Sequence, residues 1–259
     1  MIGSSAPISD AATNNTRSSL VMDKITAGYH ADQWVLNGVS LRAEPERVTV
    51  VLGPNGAGKS TVLKVLYGLV APHAGSVRVG DQDITRLPPE ARLALGLAYL
   101  PQGHSVFPSL TVQENLEMGL WIYRHDRARR EEALERCFAE YPVLKDLRAK
   151  LAGSLSGGQQ RLLEVARLML PNPTVLLIDE PSVGVAPNLV DILYEHIVRW
   201  RNQGKTVLLV DQNVEAAVSI ADYVYTLESG RNRLDGPRDE FEGRLREVVG
   251  QWLRLDVLP

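Results

Sequence analysis

The sequence predicts an α/β fold built on a mostly parallel sheet, and three observations carry that expectation. Short runs at residues 48–52, 97–100, 175–178 and 207–210 are apolar at successive positions, the pattern of strands buried on both faces. Amphipathic stretches at residues 61–69 and 189–200 supply the helical crossovers that parallel neighbours require. Between them, residues 110–170 lack β-branched runs and carry charge-rich, helix-forming sequence. That region reads as a mostly helical insertion over about residues 103–170.

Composition narrows the possibilities. The 259 residues hold 28 Lys plus Arg against 31 Asp plus Glu, a formal charge of -3, so there is no general basic footprint for nucleic acid. The longest purely aliphatic runs fall far short of the roughly 20 residues that span a bilayer. Cys137 alone can form neither an internal disulfide nor a Cys-rich metal cluster, and a reducing compartment is the simplest setting. At about 150 residues per domain, the length fits one large domain or two small ones.

Residues 1–19 are rich in Ser, Ala, Asn and Thr, without the apolar and basic segments of a secretory signal, and are expected to form a disordered tail. From Leu20 onward the alternating elements begin. The run at residues 48–52 leads directly into Gly53-Pro54-Asn55-Gly56-Ala57-Gly58-Lys59-Ser60-Thr61, which matches GxxxxGK[ST] between a strand and a helix. Glycines at 53, 56 and 58 let the backbone wrap phosphates with its N–H groups inward, and the helix N-terminus adds the positive end of its dipole. Lys59 is then placed for the β- and γ-phosphates and Ser60 for Mg²⁺.

The basic cluster Arg127, Arg129 and Arg130 is followed by Glu131, Glu132 and Glu135, and reads as a solvated helix face with i,i+4 pairs. The run at residues 175–178 ends in Asp179-Glu180. Beside a phosphate loop, Asp179 is placed for the Mg²⁺ shell and Glu180 for polarising an attacking water. In isolation such carboxylates are as readily solvated strand ends or helix caps. These motifs alone leave kinases, GTPases and other NTPases open.

Leu155-Ser156-Gly157-Gly158-Gln159 closes most of that range. A hydroxyl and two glycine amides leading a helix make a second anion site, although alone they make an ordinary cap. Lying ahead of Asp179-Glu180, this stretch resembles the signature sequence of ATP-binding cassette (ABC) proteins. The resemblance covers essentially the whole chain after the tail. It implies a single domain over residues 20–259, with a P-loop NTPase core, an N-terminal antiparallel β subdomain and the inserted helical subdomain.

Roles follow from the resemblance. Tyr29 stands where the family stacks an aromatic on adenine, and Gln102 matches the glutamine that touches Mg²⁺ and the attacking water. Ser156, Gly157, Gly158 and Gln159 would face the P-loop of a second cassette, so that ATP with Mg²⁺ is sandwiched between two subunits. Two positions depart from the general family pattern. Gln212 occupies the place of a switch histidine, and Ala186 the place of an aspartate in the loop after Glu180. Glutamine can donate a hydrogen bond to a γ-phosphate oxygen, but it cannot carry a proton as imidazole does.

Three phrases narrow the branch. Phe107-Pro-Ser-Leu-Thr-Val-Gln-Glu-Asn115, Asp179-Glu-Pro-Ser-Val-Gly-Val-Ala-Pro187 and Val210-Asp-Gln-Asn213 are similar to the ATPase subunits of bacterial branched-chain amino acid uptake systems and their relatives for urea and short amides. That resemblance implies an importer ATPase at the cytoplasmic face of the inner membrane, where nucleotide closes a dimer and hydrolysis reopens it. Its partners would be separate permease subunits, a second ATPase subunit, either a different chain or a second copy, and indirectly an extracytoplasmic solute-binding protein. The segment from Gln102 to Leu110, with adjoining helices, would form the groove that receives a permease helix. The rival readings are a soluble ABC ATPase outside transport and a regulatory subunit that hydrolyses weakly. Residues 237–255, with Leu245, Val248, Val249 and Trp252 at helical spacing, are expected to add a packing helix.

Overall fold

A computed structural model of the chain describes residues 19–30, 33–103, 105–183 and 187–242. The tail up to residue 18, Ala186 and the apolar positions expected of a C-terminal packing helix lie outside the described residues.

The chain opens with β1 (Leu20–His30) and β2 (Gln33–Ala43), which pair antiparallel. β3 (Val48–Leu52) then leads into α1 (Lys59–Tyr67). β4 (Ala74–Val79) and β5 (Gln82–Asp83) return to the first pair, completing a four-stranded antiparallel sheet in the order β2-β1-β4-β5. After α2 (Pro89–Ala94) and β6 (Leu97–Leu100) come α3 (Val112–Gly119), α4 (Arg127–Glu140), α5 (Pro142–Asp146) and α6 (Gly157–Met169). The chain re-enters a sheet as β7 (Val175–Asp179), followed by α7 (Pro187–Asn202), β8 (Thr206–Val210) and α8 (Val214–Ile220). It ends with β9 (Tyr223–Glu228), β10 (Arg231–Pro237) and α9 (Arg238–Glu242).

The second sheet has the order β10-β9-β3-β8-β7-β6, and every pairing in it is parallel except β10 on β9. Each residue of β3, β7 and β8 is buried, because both faces of these strands are covered. Side-chain alternation divides them between two cores. Val48, Val50, Leu52, Leu176, Ile178, Val207 and Leu209 pack with Leu163, Ala166, Leu193, Ile197 and Trp200 from α6 and α7. Val51, Val175, Leu177, Leu208 and Val210 pack with Val62, Leu63 and Leu66 of α1 and with Leu20, Ile25 and Val39 of the antiparallel sheet. So α1 lies between the two sheets, and its N-terminus opens at the carboxyl end of β3, where α/β folds place their ligands.

The expected strand at residues 207–210 is not the final one. β9 pairs parallel to β3, and β10 lies beyond it. Tyr223–Glu228 escapes an apolar-run criterion because its Tyr223, Tyr225 and Glu228 are only half-buried. The helix after the phosphate loop starts at Lys59, as expected from the motif, but ends before Gly68 and short of residue 69, because the φ of 90° at Gly68 turns the chain away while its N–H caps Lys64 O and Val65 O. Pro237 belongs to β10, paired with Tyr223, and α9 begins only after it. In α3, a Thr111–Glu114 capping box starts the helix, and buried Asn115 stitches the preceding loop by accepting from Phe107 N (2.8 Å) and donating to Phe107 O (3.0 Å) and Thr111 O (2.9 Å).

Candidate active site

Between β3 and α1, Gly53, Gly56 and Gly58 all take φ in the left-handed range, at 156°, 78° and 98°. Two of these positions also exclude a side chain by contact. A Cβ on Gly53 would sit 2.3 Å from Leu227 O, and one on Gly58 would sit 2.8 Å from Leu36 Cδ2. The loop is pinned from below, since Ala57 O accepts from Gly230 N (3.1 Å) in the β9–β10 turn. Pro54 O accepts from Ala57 N (3.2 Å), closing the turn that contains Asn55 and Gly56. Lys59 is 5% exposed and lies over the loop, donating to Gly53 O (2.8 Å) and Pro54 O (3.0 Å). Burial pulls its pKa below the ordinary lysine value, opposed by the charges of Glu180, Asp179 and Asp211.

The end of β7, separated from β3 by β8 alone, brings the acidic pair to this cation. Ser60 Oγ donates to Asp179 Oδ1 (2.9 Å), and Tyr99 OH donates to Asp179 Oδ2 (3.0 Å). Burial raises the Asp179 carboxyl, and these two hydrogen bonds counter the rise. Glu180 holds φ at 43°, a strained conformation for a residue with a Cβ, costing about 1 kcal/mol or more. Its N–H donates to Val210 O (2.7 Å), extending the β7–β8 pairing by one residue and aiming the side chain across the strand ends. There Gln102 Nε2 (2.6 Å) and Gln212 Nε2 (2.7 Å) both donate to Glu180 Oε2. Burial pushes the Glu180 carboxyl upward, while Lys59 and the Gln212 amide act in the opposite sense.

Tyr29, at the end of β1, is 53% exposed. Its hydroxyl meets Thr61 Oγ1 (3.3 Å) and accepts from Lys64 Nζ (3.3 Å), which holds the open ring beside the first turn of α1. Thus residues 53–61, Tyr29, Gln102, Asp179, Glu180 and Gln212 form one hydrogen-bonded neighbourhood. Ser156, Gly157, Gly158 and Gln159 form the start of α6 instead. Ser156 Oγ accepts from Gln159 N (3.3 Å) while Gln159 Oε1 accepts from Ser156 N (3.1 Å). No hydrogen bond among the described residues joins that turn to residues 53–61.

Sequence reasoning missed several groups that fasten these pieces. Asp211 is 1% exposed, and its Oδ1 accepts from Ser182 Oγ (2.5 Å) and Asn213 N (3.0 Å), tying the loop after Glu180 to the turn that carries Gln212. On α6, Glu164 accepts from Ser105 N and from Arg161 Nη1 (2.8 Å), and Arg167 Nη2 donates to Ser105 O (2.7 Å). Arg161 Nη2 also donates to Pro181 O (3.3 Å), so one helix face holds both the loop after Gln102 and the loop after Glu180. The signal for these links was faint: lone polar residues within an otherwise amphipathic helix.

Residues 36–183 match the family described as ABC transporter. The chain belongs to that family. A probable branched-chain amino acid transport ATP-binding protein, LivF, from Archaeoglobus fulgidus is 38% identical over 218 residues, which is 84% of this ABC protein and 91% of the relative. The high-affinity branched-chain amino acid transport ATP-binding protein BraG of Pseudomonas aeruginosa is 36% identical, covering 82% and 90% of the two chains. The lipopolysaccharide export ATP-binding protein LptB of Escherichia coli K12 is 37% identical, covering 85% and 93%. Among solved structures, the ADP conformation of an ATP-binding cassette of an ABC transporter aligns with a TM-score of 0.80 at 29% identity, covering 92% of this chain and 99% of that one. This ABC subunit is therefore an ATP-binding ATPase of a transport system, with a P-loop NTPase α/β fold. Among the described residues, no helix is long and apolar enough to cross a membrane.

Proposed function

We propose that this subunit hydrolyses ATP at the cytoplasmic face of the membrane to drive uptake of branched-chain amino acids, or a related small polar solute, through separate permease subunits. The observation that carries the catalytic part is the convergence of Gln102 and Gln212 on one oxygen of Glu180, next to the Ser60–Asp179 pair. Two amide donors on Oε2 hold the carboxylate in place and leave Oε1 to take a proton from water. Glycine amides and Lys59 hold the phosphates, and the ring of Tyr29 offers a flat face for the base.

The cation requirement follows from the donor chemistry. A serine hydroxyl and a buried carboxylate are hard oxygen ligands, and Mg²⁺ is commonly held by one or two such groups together with phosphate oxygens and water. Mg²⁺ bound there would offset the negative charge of the phosphates. Ser60 and Asp179 would hold it, with Gln102 approaching through its amide oxygen.

Ser156 and Gly157 are exposed and Gly158 half-buried at the start of α6, where a hydroxyl and free amides suit an anion supplied by another subunit. The reading is of two cassettes, this chain and a different ATPase subunit, each completing the other's site beneath permease subunits that a periplasmic-type solute-binding protein feeds from the opposite face. Permease docking is assigned to a cleft of 370 Å³ beside the loop after Gln102, with apolar lining from Leu93, Phe107, Met118 and Leu168.

The test is steady-state ATPase of the purified chain, alone and with its permease and ATPase partners, against Glu180→Gln. Loss of the general base is expected to lower the rate by about 10²-fold or more. Equal background rates in all samples would overturn the catalytic reading. Uptake of labelled leucine and urea by cells lacking the chain addresses the solute. The 37% identity to lipopolysaccharide export ATPases supports a second reading, export of a lipid, which predicts unchanged uptake with impaired outer-membrane assembly.

A further inference from the structure

Tyr99 connects the cleft beside the loop after Gln102 with the carboxylate of Asp179. It stands on β6, three residues before Gln102, and its hydroxyl donates to Asp179 Oδ2 at 3.0 Å. Its side chain also lines the 370 Å³ cleft assigned to permease docking. Tyr67, from the last turn of α1, lines the same cleft and packs against Tyr99 with ring centroids 5.3 Å apart. A single rigid side chain thus reaches from the cleft wall to the carboxylate beside Ser60.

We propose that Tyr99 is a positioning residue for Asp179, and that the tyrosine pair passes the state of the cleft to the metal-binding end of the site. Ser60 takes one oxygen of Asp179 and Tyr99 the other, so the carboxylate plane has both ends fastened. Phenylalanine at position 99 would free Oδ2 inside a residue that is 1% exposed, and the carboxylate would turn to recover a partner. Because the ring of Tyr99 packs on Tyr67, a group in the cleft that shifts the Tyr67 ring removes the packing that supports the Tyr99 hydroxyl. This route is separate from the Gln102 amide, which acts on Glu180. The inference rests on the reading of Asp179 as the metal carboxylate.

The experiment measures binding of a fluorescent non-hydrolysable ATP analogue to the full chain, in Mg²⁺ and in EDTA. For Tyr99→Phe, affinity in Mg²⁺ is expected to fall about tenfold, as for loss of an outer-shell partner, while affinity in EDTA stays at the wild-type value. Tyr67→Leu, which keeps the Tyr99 hydroxyl but removes its shelf, should lower the Mg²⁺ affinity in the same direction by a smaller factor. Unchanged Mg²⁺ affinity in Tyr99→Phe, or an equal fall with and without Mg²⁺, would overturn the positioning role. Wild-type behaviour of Tyr67→Leu would overturn the link to the cleft. If Tyr99→Phe does not fold, Tyr67→Leu with Mn²⁺ titration followed by electron paramagnetic resonance decides the question. An Asp179→Asn control showing no loss of metal dependence would instead overturn the reading of Asp179 itself.

Discussion

Arg92 offers the sharpest stability test, because it is a cation buried at 1% exposure whose partners are all carbonyl oxygens. Its Nε donates to Leu87 O (2.8 Å), Nη1 to Val65 O and Leu66 O (both 2.7 Å), and Nη2 to Thr85 O (2.9 Å). Burial pushes its pKa down to about 10, so the guanidinium remains charged at neutral pH. Val65 and Leu66 lie in the last turn of α1, where carbonyls lack intrahelical donors. Arg92→Met conserves much of the apolar volume but removes every donor. Val65 O keeps the Gly68 N–H, whereas Leu66 O, Thr85 O and Leu87 O lose the guanidinium. At about 1–2 kcal/mol per stranded carbonyl, less the relief of no longer burying a cation, the expected loss is about 2–4 kcal/mol. That is a large share of the roughly 5–15 kcal/mol that stabilises a typical domain. Thermal and urea unfolding would show it as a melting point lower by about 10 °C with a similar urea slope. A loss below about 1 kcal/mol would refute the reasoning, since it would mean that water or backbone shifts satisfy those carbonyls without the arginine.

Gly53→Ala places its Cβ 2.3 Å from Leu227 O at a φ of 156° and should abolish nucleotide binding while leaving a folded core, measurable by isothermal titration with near-native circular dichroism. Glu180 has its carboxyl raised by burial, so the folded state holds that proton more tightly than the unfolded chain and stability falls as pH rises from the unfolded value, about 4.3, through the folded one. Glu180→Gln should therefore melt higher than the native chain at neutral pH, and the difference should vanish below about pH 4; a gap that persists in acid would contradict the assignment.

Much of this fold was legible because its signals are local. Residues 48–52 and 175–178 announce buried strands without knowledge of their neighbours, and GxxxxGK[ST] carries its own turn and helix start. The strands that went unread are those whose faces differ. β9 alternates buried Val224 with half-buried Tyr223 and Tyr225 because its neighbour β10 is an edge strand, and β4 begins with an exposed Ala74-Gly75 pair that hides its pairing with β1. Their strand character comes from long-range pairing, which no short window contains.

The site divides along the same line, and the division says something about how it is held together. Gly53, Lys59, Ser60 and Asp179 are motif residues because phosphate and metal chemistry dictates their types at short spacing. Tyr99, Arg92, Asp211, Arg161 and Glu164 brace the elements around those residues through contacts far apart in sequence: Tyr99 to Asp179, Arg92 to Val65, Asp211 to Ser182, Arg161 to Pro181 and Glu164 to Ser105. Any donor of suitable reach could serve at such a position, so its chemistry imposes no spacing and leaves no pattern to recognise. Arg161 ties the loop after Glu180 to α6, Asp211 ties that loop to the turn carrying Gln212, Tyr99 ties β6 to the end of β7, and Arg92 ties the last turn of α1 to the segment before α2. These ties give the elements that carry reacting groups direct contact with elements that do not. In a protein that converts ATP hydrolysis into transport, those unpatterned ties are where mechanical coupling would reside, and substitutions there should separate nucleotide chemistry from transport more cleanly than substitutions in the motifs themselves.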